Sequence, residues 1–469
     1  MKENNKKKVT PLLVASRLIV AVCFLFMMVA LLRFSVKNFF IDRGYGDSET
    51  LQKMNDFVYG DNPGTELERI SKISVKWDEL YPFEDVDEQE TKRSQISNPF
   101  DKVTGKIVEK LDGMKGQVSY YFDTGLFLKK DILEAGTAAE YALQWGLPES
   151  VKANPYVFWG GKTGHITSCK REVDVTNGAQ NLSEFAKWTQ EQGIDFLYVQ
   201  YPDKMSGINE SLLPEGFTTY ADKNADELLA KLEENNIPYK DIRSELMPDD
   251  SENLFELFFR TDHHWLPQTG VQVAGILAEH LQADGEEIDR ELFEIKQYNV
   301  ETYEDIFLGS FGRNVTAARV EPDDFYVVTP GFETSLRVSI PNLGFTKEGS
   351  LEETLLDKNM LYMEPSYALS QYEVYLWGDC PLIEIENQQT DNDDRVLIIK
   401  DSYSNVVIPY LSLGLKEVAV IDLRHFTGSL KSYVKEYNPD KVIVAYYPGT
   451  VEDANYINEK SHTSAWDFR

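Results

Sequence analysis

The sequence predicts an α/β fold in which a mostly parallel sheet is covered by helices on both faces. Two stretches carry this reading. Residues 395–399, 417–421 and 441–446 are short aliphatic strands separated by helical stretches at 405–414 and 427–437. The same alternation appears earlier, with helical patterns at 182–192 and 222–235 and strands at 194–201 and 239–242. Runs such as Val396-Leu397-Ile398-Ile399, apolar without a break, suit strands buried on both faces. Strands alternating with helices are the mark of crossover-connected parallel sheets, whose sites gather at the carboxyl ends of the strands.

The remaining elements follow in order. A lysine-rich start (Lys2, Lys6, Lys7, Lys8) leads to residues 18–32, LIVAVCFLFMMVALL, which are apolar throughout. That core is short of the roughly 20 residues that span a bilayer, but 11–34 is long enough if Arg17 snorkels to the headgroups. A cleaved signal peptide has a similar layout, yet Leu31-Leu32-Arg33-Phe34-Ser35 lacks the small-x-small pattern of a cleavage site. The expected organisation is a cytoplasmic basic tail (1–10), a transmembrane signal anchor (11–34), a charge-dense juxtamembrane linker (35–102) and an extracytoplasmic domain (103–469), oriented by the positive-inside rule. Within that domain, Ile107, Leu111, Met114 and Val118 sit at helical spacing, and 155–159 reads as a strand entering a glycine turn. Residues 268–281 form an apolar-rich helix. Residues 296–390 hold short aromatic strands, among them 324–328 and 372–376, expected as a mixed α/β insertion or edge region.

Composition narrows the function. With 469 residues, of which 42% are hydrophobic, the chain can bury a sizeable core. Its formal net charge of −31 would repel phosphate backbones, which argues against nucleic acid as a partner. Cys23 lies in the apolar run, so Cys169 and Cys380 offer at most one disulfide, and no Cys/His cluster has zinc-ligand spacing. No metal or cofactor is expected.

Two of the six histidines are adjacent, in Thr261-Asp262-His263-His264-Trp265. On an extended segment Asp262 and His264 point to one side, so the carboxylate can orient the imidazole as in a nucleophile-activating relay. Ser402, in Lys400-Asp401-Ser402-Tyr403, follows the strand at 395–399 and precedes a helical stretch. A serine there can present its Oγ at the sheet edge, with unpartnered helix-start amides available to an oxyanion. The blander readings are an N-cap serine and a histidine pair that packs in a polar loop or ligates a metal. Lys204, at a strand's carboxyl end, and Arg313 are the candidate substrate-binding residues. A solvated turn lysine and an arginine paired with a carboxylate are the preferred readings of those two.

Asp262-His263-His264-Trp265 spells the motif that names the DHHW family, and the chain resembles that family over roughly residues 100–450. Through it the chain is similar to the SGNH-hydrolase-like proteins of alginate O-acetylation, which show Asp-x-His-Trp and, much later, a serine. Gly161-Lys162-x-Gly164, Pro202-x-Lys204, Asp401-Ser402-Tyr403 and Ile421-Asp422-Leu423-Arg424 fit the same pattern. The resemblance implies an SGNH-hydrolase-like three-layer domain with a triad of Ser402 as nucleophile, His264 as base and Asp262 as its orienter. His263 has no implied catalytic role, and Trp265 is expected to pack. Ordinary SGNH enzymes place the serine first and Asp-x-x-His last, so their oxyanion-hole residues do not map. Gly378-Asp379 is one candidate, with an aspartate where an amide donor would serve better.

The expected function is a membrane-anchored extracytoplasmic O-acetyltransferase acting on a polysaccharide or cell-wall glycan, with a polytopic membrane acyltransferase supplying acetyl groups. The alternatives are an acetylesterase on the same glycans, a non-catalytic glycan-binding protein of the same fold, and a metal-dependent phosphoesterase resting on the Asp-His-His string alone.

Overall fold

A computed structural model describes residues 129–143, 156–246, 254–281, 288–367, 369–390, 394–454 and 464–469. All described residues lie in one compact unit, within Glu68–Arg469. The expected tail, anchor, linker and the helix around 107–118 lie outside the described residues. Among the described residues no helix is long and apolar enough to cross a membrane.

In chain order the elements begin with α1 (Lys129–Leu143), the hairpin β1 (Tyr156–Trp159) and β2 (His165–Ser168), α2 (Thr176–Glu191), β3 (Asp195–Gln200), α3 (Ala221–Glu234) and β4 (Tyr239–Asp241). The middle of the chain forms α4 (Pro267–Leu281), β5 (Tyr298–Phe307), α5 (Ser310–Val315), β6 (Asp323–Pro330), β7 (Leu336–Ile340), β8 (Phe345–Gly349), α6 (Leu351–Leu355) and β9 (Leu382–Asn387). The last part adds β10 (Arg395–Lys400), α7 (Ile408–Leu411), β11 (Glu417–Ile421), α8 (Leu430–Tyr437), β12 (Lys441–Tyr446) and α9 (Pro448–Val451).

Eight strands form one sheet in the order β4-β3-β12-β10-β11-β9-β7-β8. From β4 to β11 the pairings are parallel, while β9, β7 and β8 are added antiparallel. The sheet is mixed, which corrects the mostly parallel expectation. The antiparallel part comes from the stretch read as an insertion or edge: β7 and β8 are joined by the short turn Pro341–Leu343, ended by Gly344 at φ 67°, and so short a link can only reverse the chain. β5 and β6 pair separately as a two-stranded ribbon.

Alternation along β10 feeds two cores. Val396 and Ile398 join one apolar cluster with residues of α4 and α7. Leu397 and Ile399 join the other with residues of α2, α3 and α8. Helices therefore cover both faces of the sheet, giving three layers. Three expected elements differ in detail. The helix expected at 405–414 is broken into the 3-10 turn Ser402–Val406, α7 and a second 3-10 turn, with Pro409 near the start of α7. The helix expected from 427 starts at Leu430, because the Ser429 side chain caps it by accepting from the Ser432 N–H. The strand expected at 372–376 is a 3-10 turn over Gln371–Val374. Cys169 and Cys380 are both free thiols.

Candidate active site

The histidine pair lies in a bend between two chain segments that bridge at Phe258 and Trp265. Asp262 and His264 come together through this bend rather than through an extended strand. Asp262 Oδ1 accepts from the His264 backbone N–H at 2.8 Å, a turn closed by an aspartate side chain. The same oxygen lies 2.6 Å from His264 Nδ1. The other carboxylate oxygen accepts from the Ser310 N–H at 2.5 Å. Gly309 makes that approach possible, since a Cβ there would lie 2.3 Å from the Asp262 Cβ.

Ser402 opens the 3-10 turn that follows β10. Its Oγ lies 2.7 Å from His264 Nε2, so Asp262, His264 and Ser402, three of the expected site residues, form one hydrogen-bonded line. All three are nearly buried, at 1%, 8% and 9% exposure. Asp401 fixes the serine turn. One of its carboxylate oxygens accepts from the Tyr403 N–H, and the other from the Tyr447 N–H and Thr450 Oγ1. Burial pushes its carboxyl up to about 6.

Burial alone would raise the Asp262 carboxyl as well. The imidazoles of His263 and His264 outweigh it and hold the group well below the usual carboxylate range. Asp262 is therefore an anion wherever His264 would need to become cationic. Tyr372 stacks on the His264 ring at 3.9 Å between centroids and 14° between planes. The imidazole is thus gripped at its edge by Asp262 and on its face by a phenol. Trp265 packs as expected: it is fully buried, and its indole N–H donates to the Tyr403 carbonyl at 2.8 Å.

Lys204 is neither a substrate contact nor a solvated turn residue. It is 2% exposed, and its ammonium donates to the carbonyls of Ile166, Phe259, Arg260 and Asp262 at 3.0, 2.5, 3.0 and 3.1 Å. Burial pushes its pKa down to about 7, while four carbonyl acceptors favour the protonated form. The lysine pins the loop that carries the Asp-His pair. Arg313 lies 3.5 and 3.4 Å from the carbonyls of Leu308 and Leu369, and its charge lowers the pKa of Glu373, which burial raises.

Gly378-Asp379 supplies no oxyanion donor. The Gly378 N–H is taken by the Tyr375 carbonyl. Asp379 accepts from Lys400 and Asn405 and pairs with Arg424. Burial would raise its pKa, but these cations and hydrogen bonds hold it strongly down, so it has no proton to donate. The Ser402 N–H, first in its turn, has no intrahelical acceptor and is the remaining candidate donor to an oxyanion.

Two groups of side chains have metal-like proximity among the described residues: Asp262, His263 and His264, and Asp379, Asp422 and His425. Neither donor set suits a cation. In the first, the ligand atoms bond to one another and to Ser310 and Ser402. In the second, Lys400 and Arg424 already neutralise both carboxylates.

Sequence reasoning missed Ser310, Tyr372 and the carbonyl-binding role of Lys204. It also missed Asp323, which accepts from the Thr261 N–H and hydroxyl at 2.7 and 2.6 Å. Tyr403 was visible only as part of a motif; its hydroxyl donates to the His263 carbonyl at 2.6 Å.

The fold is an α/β domain with a mixed sheet, similar to SGNH-hydrolase-like domains. Residues 164–335 match the family model described as the SGNH hydrolase-like domain of the acetyltransferase AlgX, a stretch that contains Asp262 and His264 and ends before Ser402. PatB1 of Bacillus cereus is similar in structure, with 19% identity over 67% of this chain and 100% of that one and a TM-score of 0.52. A DHHW family protein from Eubacterium siraeum is also similar, at 20% identity, 65% and 95% coverage and a TM-score of 0.50. No curated protein matches the chain in sequence. The resemblance read from Asp262-His263-His264-Trp265 is met by these findings.

Two consequences are measurable. Lys204→Met would take a donor from the buried carbonyls of Ile166, Phe259 and Asp262, at about 1–3 kcal/mol for each group left unsatisfied. Urea unfolding should show a loss of at least about 3 kcal/mol, and a loss below about 1 kcal/mol would contradict the pinning role. Burial lowers His263 to about 4 and His165 to about 3, both from 6.5. At these two histidines the unfolded state therefore binds more protons than the folded one below pH 6.5, and they withdraw stability as pH falls. Asp401, raised to about 6, titrates with the opposite sign, so the comparison must be between proteins. From pH 6.5 to 4 the melting temperature of wild type should fall relative to that of His263→Gln; parallel curves would refute the assignment.

Proposed function

We propose that this chain is a serine O-acetyltransferase that modifies an extracytoplasmic glycan and is held at the membrane by residues 11–34. The observation that carries the reading is the line Asp262 Oδ1–His264 Nδ1–His264 Nε2–Ser402 Oγ, with distances of 2.6 and 2.7 Å at its two joints. The family match to an acetyltransferase domain supports acetyl as the transferred group, and the apolar run behind a lysine cluster supports the anchor.

The chemistry follows from the geometry. His264 Nε2 takes the Ser402 hydroxyl proton as Oγ attacks the carbonyl carbon of an acetyl ester or thioester. Asp262, already ionised, stabilises the imidazolium and holds its tautomer. The Ser402 N–H receives the developing oxyanion. Collapse expels the donor's alcohol or thiol, which leaves with the proton from His264, and an acetyl-serine remains. A sugar hydroxyl then gives its proton to His264 and bonds to the acetyl carbon. Ser402 Oγ departs and recovers the proton. Water in place of the sugar gives hydrolysis by the same steps. A polytopic membrane acyltransferase is the proposed source of the acetyl donor.

PatB1 has been captured with a sulfonyl adduct, which recommends sulfonyl fluorides as probes here. Wild-type protein should turn over 4-nitrophenyl acetate and lose that turnover on sulfonylation. Ser402→Ala should lower it by about 10⁴-fold, the scale on which triad members act. Turnover that survives in Ser402→Ala removes the serine from the mechanism.

A further inference from the structure

Beside the triad sits a polar cluster whose hydrogen-bonding capacity is unfilled within the protein. Lys170, just after β2, is only 9% exposed. Among the described residues its ammonium has no hydrogen-bond acceptor. Its neighbours are the Asp203 carboxylate at 3.8 Å and the Tyr447 ring, 5.4 Å away at its centroid. Such ammonium donors are open to an acceptor that a ligand brings.

Two further groups stand next to it. Tyr447 ends β12 and stacks on Tyr403, the residue after the nucleophile, at 4.1 Å. Its phenol lies over Gly449, where a Cβ would come within 2.1 Å of the hydroxyl oxygen. The His263 ring is 5.8 Å from the Tyr447 ring. Its Nδ1 is engaged by Ser310 Oγ at 2.7 Å and Asp262 at 3.2 Å, and no partner among the described residues meets its Nε2. Tyr447 follows β12 of the main sheet, and both its ring and that of His263 lie against Tyr403, the residue after Ser402.

We propose that Lys170, Tyr447 and His263 form the subsite that binds the hydroxyls of a neutral acceptor sugar. The proposal deepens the transferase reading and rests on it. The charge balance selects a neutral ligand. Lys170 is matched by Asp203, with Glu452 and Asp453 also acting on it. Arg171 is paired with Glu452, and Arg424 with Asp379 and Asp422. Each cation around the cluster is thus already met by a carboxylate, and an anionic sugar would face those carboxylates in a chain of net charge −31. A sugar hydroxyl both donates and accepts, which suits an ammonium, a phenol and an imidazole together. His263, lowered to about 4 by burial, adds no charge at neutral pH. The histidine set aside as a bystander to the triad thus acquires a role in holding the acceptor.

The test uses 4-nitrophenyl acetate as donor and two acceptor sets, neutral oligomers of glucose and of N-acetylglucosamine against oligogalacturonate. Acetylated product is measured by mass spectrometry alongside released nitrophenol. Wild type should acetylate a neutral oligomer in preference to the uronate. Lys170→Met and Tyr447→Phe should each lower the ratio of transfer to hydrolysis at least tenfold, through the acceptor KM. Tyr447→Phe removes a single oxygen and keeps the ring, so it remains informative if Lys170→Met fails to fold. Preference for the uronate, no transfer to any neutral oligomer, or an unchanged ratio in Tyr447→Phe would overturn the subsite. Ester hydrolysis that persists in Ser402→Ala would instead overturn the transferase reading on which it rests.

Discussion

A single buried ammonium sets the shape of the loop on which the chemistry depends. Lys204 has three protons and faces four carbonyls, three of them from the loop segment Phe259–Asp262 and one from β2. A loop cannot ordinarily turn its carbonyls inward without leaving them unsatisfied. Here the lysine satisfies them, and the loop's side chains are free to face the other way. Asp323 performs the complementary task by accepting from the Arg260 and Thr261 amides. Cation and anion together clamp the backbone on both sides, and Asp262 and His264 inherit their positions from it. A displacement of about 1 Å at such a site can cost on the order of 10²-fold in rate, which gives this remote support its importance.

The serine half of the site is built with the same economy of moving parts. Beneath Ser402, Lys400 is fully enclosed and bonds to Asp379, Asn405 and Asp422. Asp401 ties the turn to the end of β12 through Tyr447 and Thr450. Ser402 and His264 come from segments separated by 138 residues, yet each is anchored to its own buried ionic centre. Trp265 and Tyr403 then lock the two halves together by reciprocal bonds, indole to carbonyl and phenol to carbonyl.

What was legible in the sequence divides along physical lines. The aliphatic runs at β10, β11 and β12 announced themselves because strands buried on both faces need unbroken apolar residues. Asp262, His264 and Ser402 were legible because a relay needs those three residue types, with two of them close in sequence. The antiparallel edge was not: Leu336, Val338 and Ile340 alternate with polar residues along β7, but alternation marks a strand without saying which way its partner runs. Lys204 was misjudged because lysines at strand ends are ordinarily solvated, and nothing in its neighbours indicates four carbonyls converging from elsewhere. Tyr372 and Ser310 were invisible for a related reason: each acts on the site through a contact that only the folded chain creates. Lys170 lay in an unremarked loop, and only its burial without a hydrogen-bond partner singles it out.

The central claim is that Ser402 carries the acyl group. The most direct measurement is peptide mass spectrometry of the wild-type protein after brief exposure to 4-nitrophenyl acetate and quenching in acid, which preserves an ester. The account predicts one acetyl group on the peptide containing Ser402, located on that serine and absent when His264 is replaced by glutamine. Turnover without an acetyl-serine, or with the acetyl group on another residue, would contradict it.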